Sequence, residues 1–184
     1  NQRYNVRVTN HTGQRIEAVV TVDGRDVLSG ASGDYTSQRG YIVPAWGSTT
    51  IEGFRRSHST VAAFRFTSPG DSYAGRMGSA RNIGVIGVAV FRERQRRVRR
   101  IARPKMKRHA AKPAPSGPGA GGMLDDLASG ASERRAEAET RNNIGTRYGE
   151  DRYSSVTEVS FTRARHNRPD RILTVYYDDE AGLA

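Results

Sequence analysis

The run Ile83 to Phe91, IGVIGVAVF, decides how this chain is read. It is apolar at odd and even positions alike. A strand built from it is buried on both faces and belongs at the centre of a sheet, as its most buried member. It is half the length of the roughly eighteen residues that a membrane-spanning helix needs, and Gly84 and Gly87 interrupt it. Those glycines do not make a phosphate loop, because no Lys-Ser or Lys-Thr follows and no helix opens there. Glycine inside a buried strand instead allows close packing or a bulge.

Working back from that strand, Ser68-Pro69-Gly70-Asp71 is a turn and Thr60 to Thr67 is a strand. That strand has Val61 and Ala63 on one face and Ala62, Phe64 and Phe66 on the other. Ser48 to Glu52 alternates, and Gly40 to Val43 is a strand stopped by Pro44, which has no N–H for a ladder. Ser29 to Arg39 is rich in Gly, Ser and Asp and reads as a loop. Ile16 to Val22 is a β-branched strand that ends at Asp23-Gly24, the strongest hairpin dipeptide in the chain, with Val27-Leu28 as a short return. Tyr4, Val6 and Val8 alternate with polar residues before an NHTG turn at Asn10 to Gly13. Strands at this spacing, with turns between them and no βαβ rhythm, predict a sandwich or barrel.

Working forward, the composition changes at once. Between Glu93 and Lys112 there are ten cations: Arg94, Arg96, Arg97, Arg99, Arg100, Arg103, Lys105, Lys107, Arg108 and Lys112. Glu93 alone offsets them, so this segment holds +9 of the formal net charge of +11, and the other residues together hold only +2. The protein is a nearly neutral domain with one concentrated cationic segment. Arg94 to Arg103 could wind as a helix, but Val98 and Ile101 are its only large apolar points, too few for a core to hold it. Pro104 to Gly122 has linker composition. Asp125 to Asn142 contains SERRAEAETR, a polar, exposed helix with Ser132 as N-cap and Glu137 four residues before Arg141. Strand character then returns in Val156, Val159 and Phe161, a turn at His166 to Asp170, and Arg171 to Tyr177, RILTVYY. Two strands are marginal alone, so they are expected to return to the sheets of the first part.

The expected fold is all-β. It is an antiparallel β-sandwich interrupted by a long basic, Pro/Gly-rich insertion with a short polar helix. Residues 1–92 form its main part, 93–150 the basic linker and polar helix, and 151–184 a C-terminal strand pair that completes it. Of 184 residues, 35 % are hydrophobic, which is low for a chain compact throughout and agrees with a segment outside the core.

Several runs taken together resemble an uncharacterised, mainly proteobacterial family of β-domain proteins with a Pro/Ala-rich spacer. They are VDGRDVLSG (Val22 to Gly30), RGYIVPAW (Arg39 to Trp46), VAAFRFTSPGDSYAGRMG (Val61 to Gly78), NIGVIGVAVFRE (Asn82 to Glu93) and IGTRYGEDRYSSV (Ile144 to Val156). Members often carry a leader and an extra amino-terminal stretch. The resemblance implies one interrupted β-domain and an extracytoplasmic address, the periplasm or cell surface. The family has no known activity and supplies no catalytic residues. This chain departs from it in lacking the amino-terminal stretch and in its strongly basic spacer.

Catalytic and metal chemistry find little purchase. The chain has no cysteine, which excludes disulfides, thiol catalysis and iron–sulfur clusters. His11, His58, His109 and His166 are scattered through turns and linker without metal-ligand spacing. Ser57, His58 and Ser59 are neighbours in sequence, whereas a nucleophile–base relay is assembled from distant positions. Asp23 and Asp26 flank a tight turn, but the twelve-residue calcium pattern is absent. No metal, no cofactor and no enzymatic activity are therefore expected.

The basic segment is the feature that rises above background. Ten cations in twenty residues suit phosphate, with a salt slope of about −0.9 per contact on duplex DNA. No Phe, Tyr or Trp lies between Arg92 and Gly122 to stack on bases, so binding would be electrostatic and indifferent to sequence. Anionic lipid, an acidic protein surface or another polyanion are competing partners, and a solvated tether is the plain alternative. The acidic run YYDDE, Tyr176 to Glu180, is either a solvated terminus or a partner for the basic segment of this chain or a neighbouring one. The expectation is a non-catalytic structural or interaction protein that binds other subunits of an assembly and is anchored by its arm. The alternative is a coat or packaging protein that touches nucleic-acid phosphate through residues 94–112.

Overall fold

The structure, a computed structural model, describes residues 1–78, 80–95 and 143–180. The sequence-predicted helices and nine of the ten cations of the arm lie outside the described residues, with Arg94 the exception.

The described residues form antiparallel sheets and almost no helix. The strands are β1 (Arg3–Tyr4), β2 (Val6–Thr9), β3 (Ile16–Val22), β4 (Arg25–Asp26), β5 (Tyr41–Val43), β6 (Ser48–Ile51), β7 (Gly53–Arg55), β8 (Thr60–Thr67), β9 (Val85–Arg92), β10 (Gly145–Tyr153) and β11 (Arg171–Tyr176). One sheet runs β1-β8-β10, with β7 also on β8. The second runs β11-β9-β3-β4, with β5 also on β3, and β2 and β6 make a separate ribbon.

The main core lies between the two large sheets. Ile16, Ala18, Val20 and Val22 point into it from β3, as side chains two apart on one strand must. Val43, Ile51, Phe54, Phe64 and Val88 meet them. Phe54 stands edge-on to Phe64 at 5.1 Å and to Tyr148 at 4.9 Å, geometries that aromatic quadrupoles favour. Gly53 is required where β7 presses on β8, because a Cβ there would lie 2.0 Å from the Ala62 carbonyl oxygen. The Asp23-Gly24 hairpin forms as its dipeptide dictates, with φ of 52° and 72° at the two positions.

Several expectations are corrected. The most buried strand is β3 rather than β9, since β9 leaves Val85 and Ile86 half-exposed. The hairpin return is Arg25–Asp26, not Val27-Leu28. The first strand divides, with Tyr4 pairing Phe64 and Val6 pairing Ile51. Val156 to Phe161 is not a strand. The returning strand is Gly145–Tyr153, so strand begins before residue 150, where the linker is expected to end. β10 joins β8 and β11 joins β9, so the two late strands return to different sheets and do not pair with each other.

Phe54→Ala removes the ring shared by Phe64, Tyr73 and Tyr148. Urea titration followed by circular dichroism is expected to show a loss of about 3–5 kcal/mol. Tyr153→Ala, at a position 79 % exposed, is expected to stay within about 0.5 kcal/mol of the parent.

Candidate functional site

The arm leaves the sandwich at the end of β9, and the segment before β11 grips its root. The Arg92 amide donates to the Asp170 carboxylate at 2.9 Å, the Ala164 amide to the Arg92 carbonyl at 2.9 Å, and the Arg94 amide to the Thr162 carbonyl at 2.7 Å. The Arg15 guanidinium clasps Glu93 through two nitrogens and holds that carboxyl below the usual glutamate range. Glu93 is therefore committed to Arg15. Arg94, the first cation of the arm, has an exposed side chain.

Beside this root lies a buried charge pair. Glu17 is on β3, on the face turned away from the main core. Arg163 Nε sits 2.6 Å from its Oε2, with side chains 9 % and 7 % exposed for Arg163 and Glu17 respectively. The rest of the guanidinium is also used. Nη1 donates to the Tyr35 carbonyl at 2.7 Å, Nη2 donates to the Gln38 carbonyl at 2.6 Å, and the group lies flat on Phe91 at 3.8 Å. The other Glu17 oxygen accepts from the Gly40 amide at 2.8 Å. This one pair ties the loop 29–40 down over β3. Within the loop, hydroxyls of Ser37 and Thr36 hold the Asp34 carboxyl down at about 2. A shallow cleft remains between loop and sheet, lined by Val19, Thr21, Gly33, Tyr35, Asn82 and Ile172 among others.

A second buried cluster clamps the far end of β11. Tyr177 OH donates to Asp23 Oδ1 at 2.6 Å and stands 2.6 Å from Thr146 Oγ1, which is 2.5 Å from Tyr4 OH. Since the Tyr177 proton goes to Asp23, Tyr177 must accept from Thr146, and Thr146 from Tyr4. Asp23 also accepts the Thr146 amide at 2.6 Å and the Gly84 amide at 2.8 Å. Burial pushes the Asp23 carboxyl above the usual aspartate range, against the hydrogen bonds that draw it back. Burial likewise raises the Tyr4 and Tyr177 phenols. Tyr4, Asp23, Thr146 and Tyr177 come from four remote parts of the chain, so the cluster fastens the returning strands to the hairpin.

Sequence reasoning identified Asp23 only as a turn residue and missed Glu17, Thr146, Arg163 and Tyr177. The signal that could have found Glu17 is a lone carboxylate inside an otherwise apolar strand, which needs a cationic partner. His11, His58 and His166 are exposed, as their turn contexts predicted. Among the described residues no three His, Cys, Asp or Glu side chains gather in a group that could hold a metal ion. No helix among them is long and apolar enough to cross a membrane.

The open surface is that of β11. All six of its residues are exposed, and Ile172, Leu173, Val175 and Tyr176 put apolar side chains on both of its faces. Trp46, 73 % exposed with φ of 57°, projects from a turn at a separate place.

No family model, no curated protein and no solved structure matches this chain.

Removing either partner of the buried pair strands a charge. Glu17→Ala and Arg163→Ala are each expected to lose about 3–5 kcal/mol. In a double-mutant cycle by urea titration the two losses are expected to be far from additive.

Tyr177→Phe deletes a hydrogen bond that lowers the Asp23 pKa, so that pKa is expected to rise further in a carboxyl-carbon NMR titration. The loss of stability, about 1–3 kcal/mol for a hydrogen bond to a charged group, has a defined pH dependence. A raised folded-state pKa means the folded protein takes up a proton before the unfolded chain does. The loss is therefore full above the folded-state pKa and eases as pH falls through it toward the ordinary aspartate value.

Proposed function

We propose that this protein is a non-catalytic structural subunit, a β-sandwich that joins a larger assembly through its sheet edge and is anchored on a polyanionic or acidic partner by its Arg-rich arm. The observation that supports this best is β11, a six-residue apolar edge strand exposed on both faces. Monomeric proteins rarely leave such an edge open. The arm, residues 94–112, supplies dense cationic charge from a root held rigidly by Asp170 and Thr162. Its polyanion-binding residues are Arg94, Arg96, Arg97, Arg99, Arg100, Arg103, Lys105, Lys107, Arg108 and Lys112.

The charge density of the arm favours a second reading, a sequence-independent coat or packaging protein bound to nucleic-acid phosphate. Mass spectrometry of the native complex, with and without nuclease, separates the two. Protein partners at fixed stoichiometry that persist after nuclease are expected on the first reading. Release of the protein on digestion, with binding that falls steeply with salt and vanishes when the arm arginines are replaced, would establish the second.

A further inference from the structure

We infer that β11 is a seam between two copies of this chain, pairing antiparallel with itself across a two-fold axis at Thr174. This deepens the assembly reading above by naming one partner, a second copy.

The backbone sets the geometry. The Tyr177 amide donates to the Gly84 carbonyl at 2.9 Å. Antiparallel bonding alternates along a strand, so Leu173 and Val175 direct their backbone groups at β9. Ile172, Thr174 and Tyr176 direct theirs at the open edge, where no described residue bonds them. Two copies meeting there at Thr174 pair Thr174 with Thr174, Ile172 with Tyr176 twice, and Leu173 with Val175 twice. Every such cross-strand pair is apolar or hydroxyl against hydroxyl, the combinations that stabilise sheets. The surrounding charge agrees. Before the strand lie exposed Arg165 and Arg168, with Arg171 at its start and Asp170 already engaged by Arg92, and after it lie Asp178 and Glu180, so that Arg168 falls opposite Glu180 in this register. Antiparallel pairing sets the basic end of each strand beside the acidic end of the other, whereas parallel pairing would set like beside like. The acidic run Tyr176 to Glu180 would thus find its cationic neighbour in the second copy.

Among the described strands, the other edges of the two large sheets are guarded and this one is not. β10 bears Arg147, Glu150, Asp151 and Arg152 and a register break between Tyr148 and Asp151. β4 and β5 have only two and three residues. Charges, bulges and shortness are the devices that stop edge pairing. Among the residues of β11 only Arg171, at its end, is charged.

The test uses the full chain after nuclease treatment, in sedimentation-velocity runs up to about 100 µM, a range suited to an interface at the small end of the stable class. Wild type is expected to form a reversible dimer. Thr174→Lys and Thr174→Glu each put like charges opposite one another on the axis, and each is expected to weaken the dimer at least tenfold. An equimolar mixture of the two is expected to recover it. Thr174→Pro, which removes only an outward N–H, is expected to abolish dimerisation and to keep the native circular-dichroism spectrum. Tyr153→Lys, on β10, is expected to leave the dimer intact. A monomeric wild type, a dimer indifferent to Thr174→Lys, or a charge-swap mixture that stays monomeric would overturn the seam. Fixed protein partners in the native complex could still be found in that event, so the seam and the assembly reading fail separately.

Discussion

Strand β3 is buried on both faces, and one of its buried positions, on the face away from the main core, is a carboxylate. That constraint organises much of this molecule. The even residues, Ile16 to Val22, are satisfied by the sheet opposite. The odd residues are Glu17, Val19 and Thr21, and an uncompensated Glu17 would be prohibitively costly there. Arg163 answers it from far along the chain, and the guanidinium then has donors to spare, which it gives to carbonyls of the loop 29–40. A polar residue in a core strand thereby becomes the anchor of a loop, and that loop covers Val19 and Phe91. The planar, five-donor group is essential, since an ammonium could not reach two loop carbonyls and lie flat on Phe91 at once.

Local pattern in the sequence carried most of the first half of the fold. Ile16 to Val22, Thr60 to Thr67 and Arg171 to Tyr176 are strands within a residue of where alternation and β-branching placed them. The Asp23-Gly24 turn was legible because its backbone demand is local. The misses have physical causes. Gly145–Tyr153 is strand because β8 offers it a ladder, while GTRYGEDRY has two glycines and four charges and little β character of its own. The division of the first strand follows from Tyr4 finding Thr146 and Phe64, partners no local window contains. The candidate site was legible in part. RILTVYY reads as a strand, but whether its faces are covered depends on which other strand lies outside it, and sequence pattern is silent on that.

Net charge is segregated along this chain. Nearly all the net positive charge belongs to the arm, and the sandwich balances its own charges in pairs such as Arg65 with Glu150 and Arg15 with Glu93. Exposed pairs of this kind add little stability. They do leave the domain with a weak field of its own, so on the proposed reading any long-range attraction to a polyanion would come from the arm. On that reading the sandwich would be free to make short-range apolar contacts, and the two kinds of recognition would not compromise one another.

The way β11 is held bears on what it can do. Its start is fixed by Asp170, which takes the Arg92 amide, and its end by Tyr177, which is bonded to Asp23 and Thr146. An edge strand anchored only by its ladder frays, and a partner must then supply the entropy of ordering it. With its start held through Asp170 and its end clamped to buried Asp23 and Thr146, the strand presents Ile172, Thr174 and Tyr176 in an extended conformation before anything binds. Preorganisation of this sort lowers the ordering cost of association. The buried Tyr4–Thr146–Tyr177–Asp23 chain therefore helps to keep the exposed edge straight, which is what the proposed pairing requires.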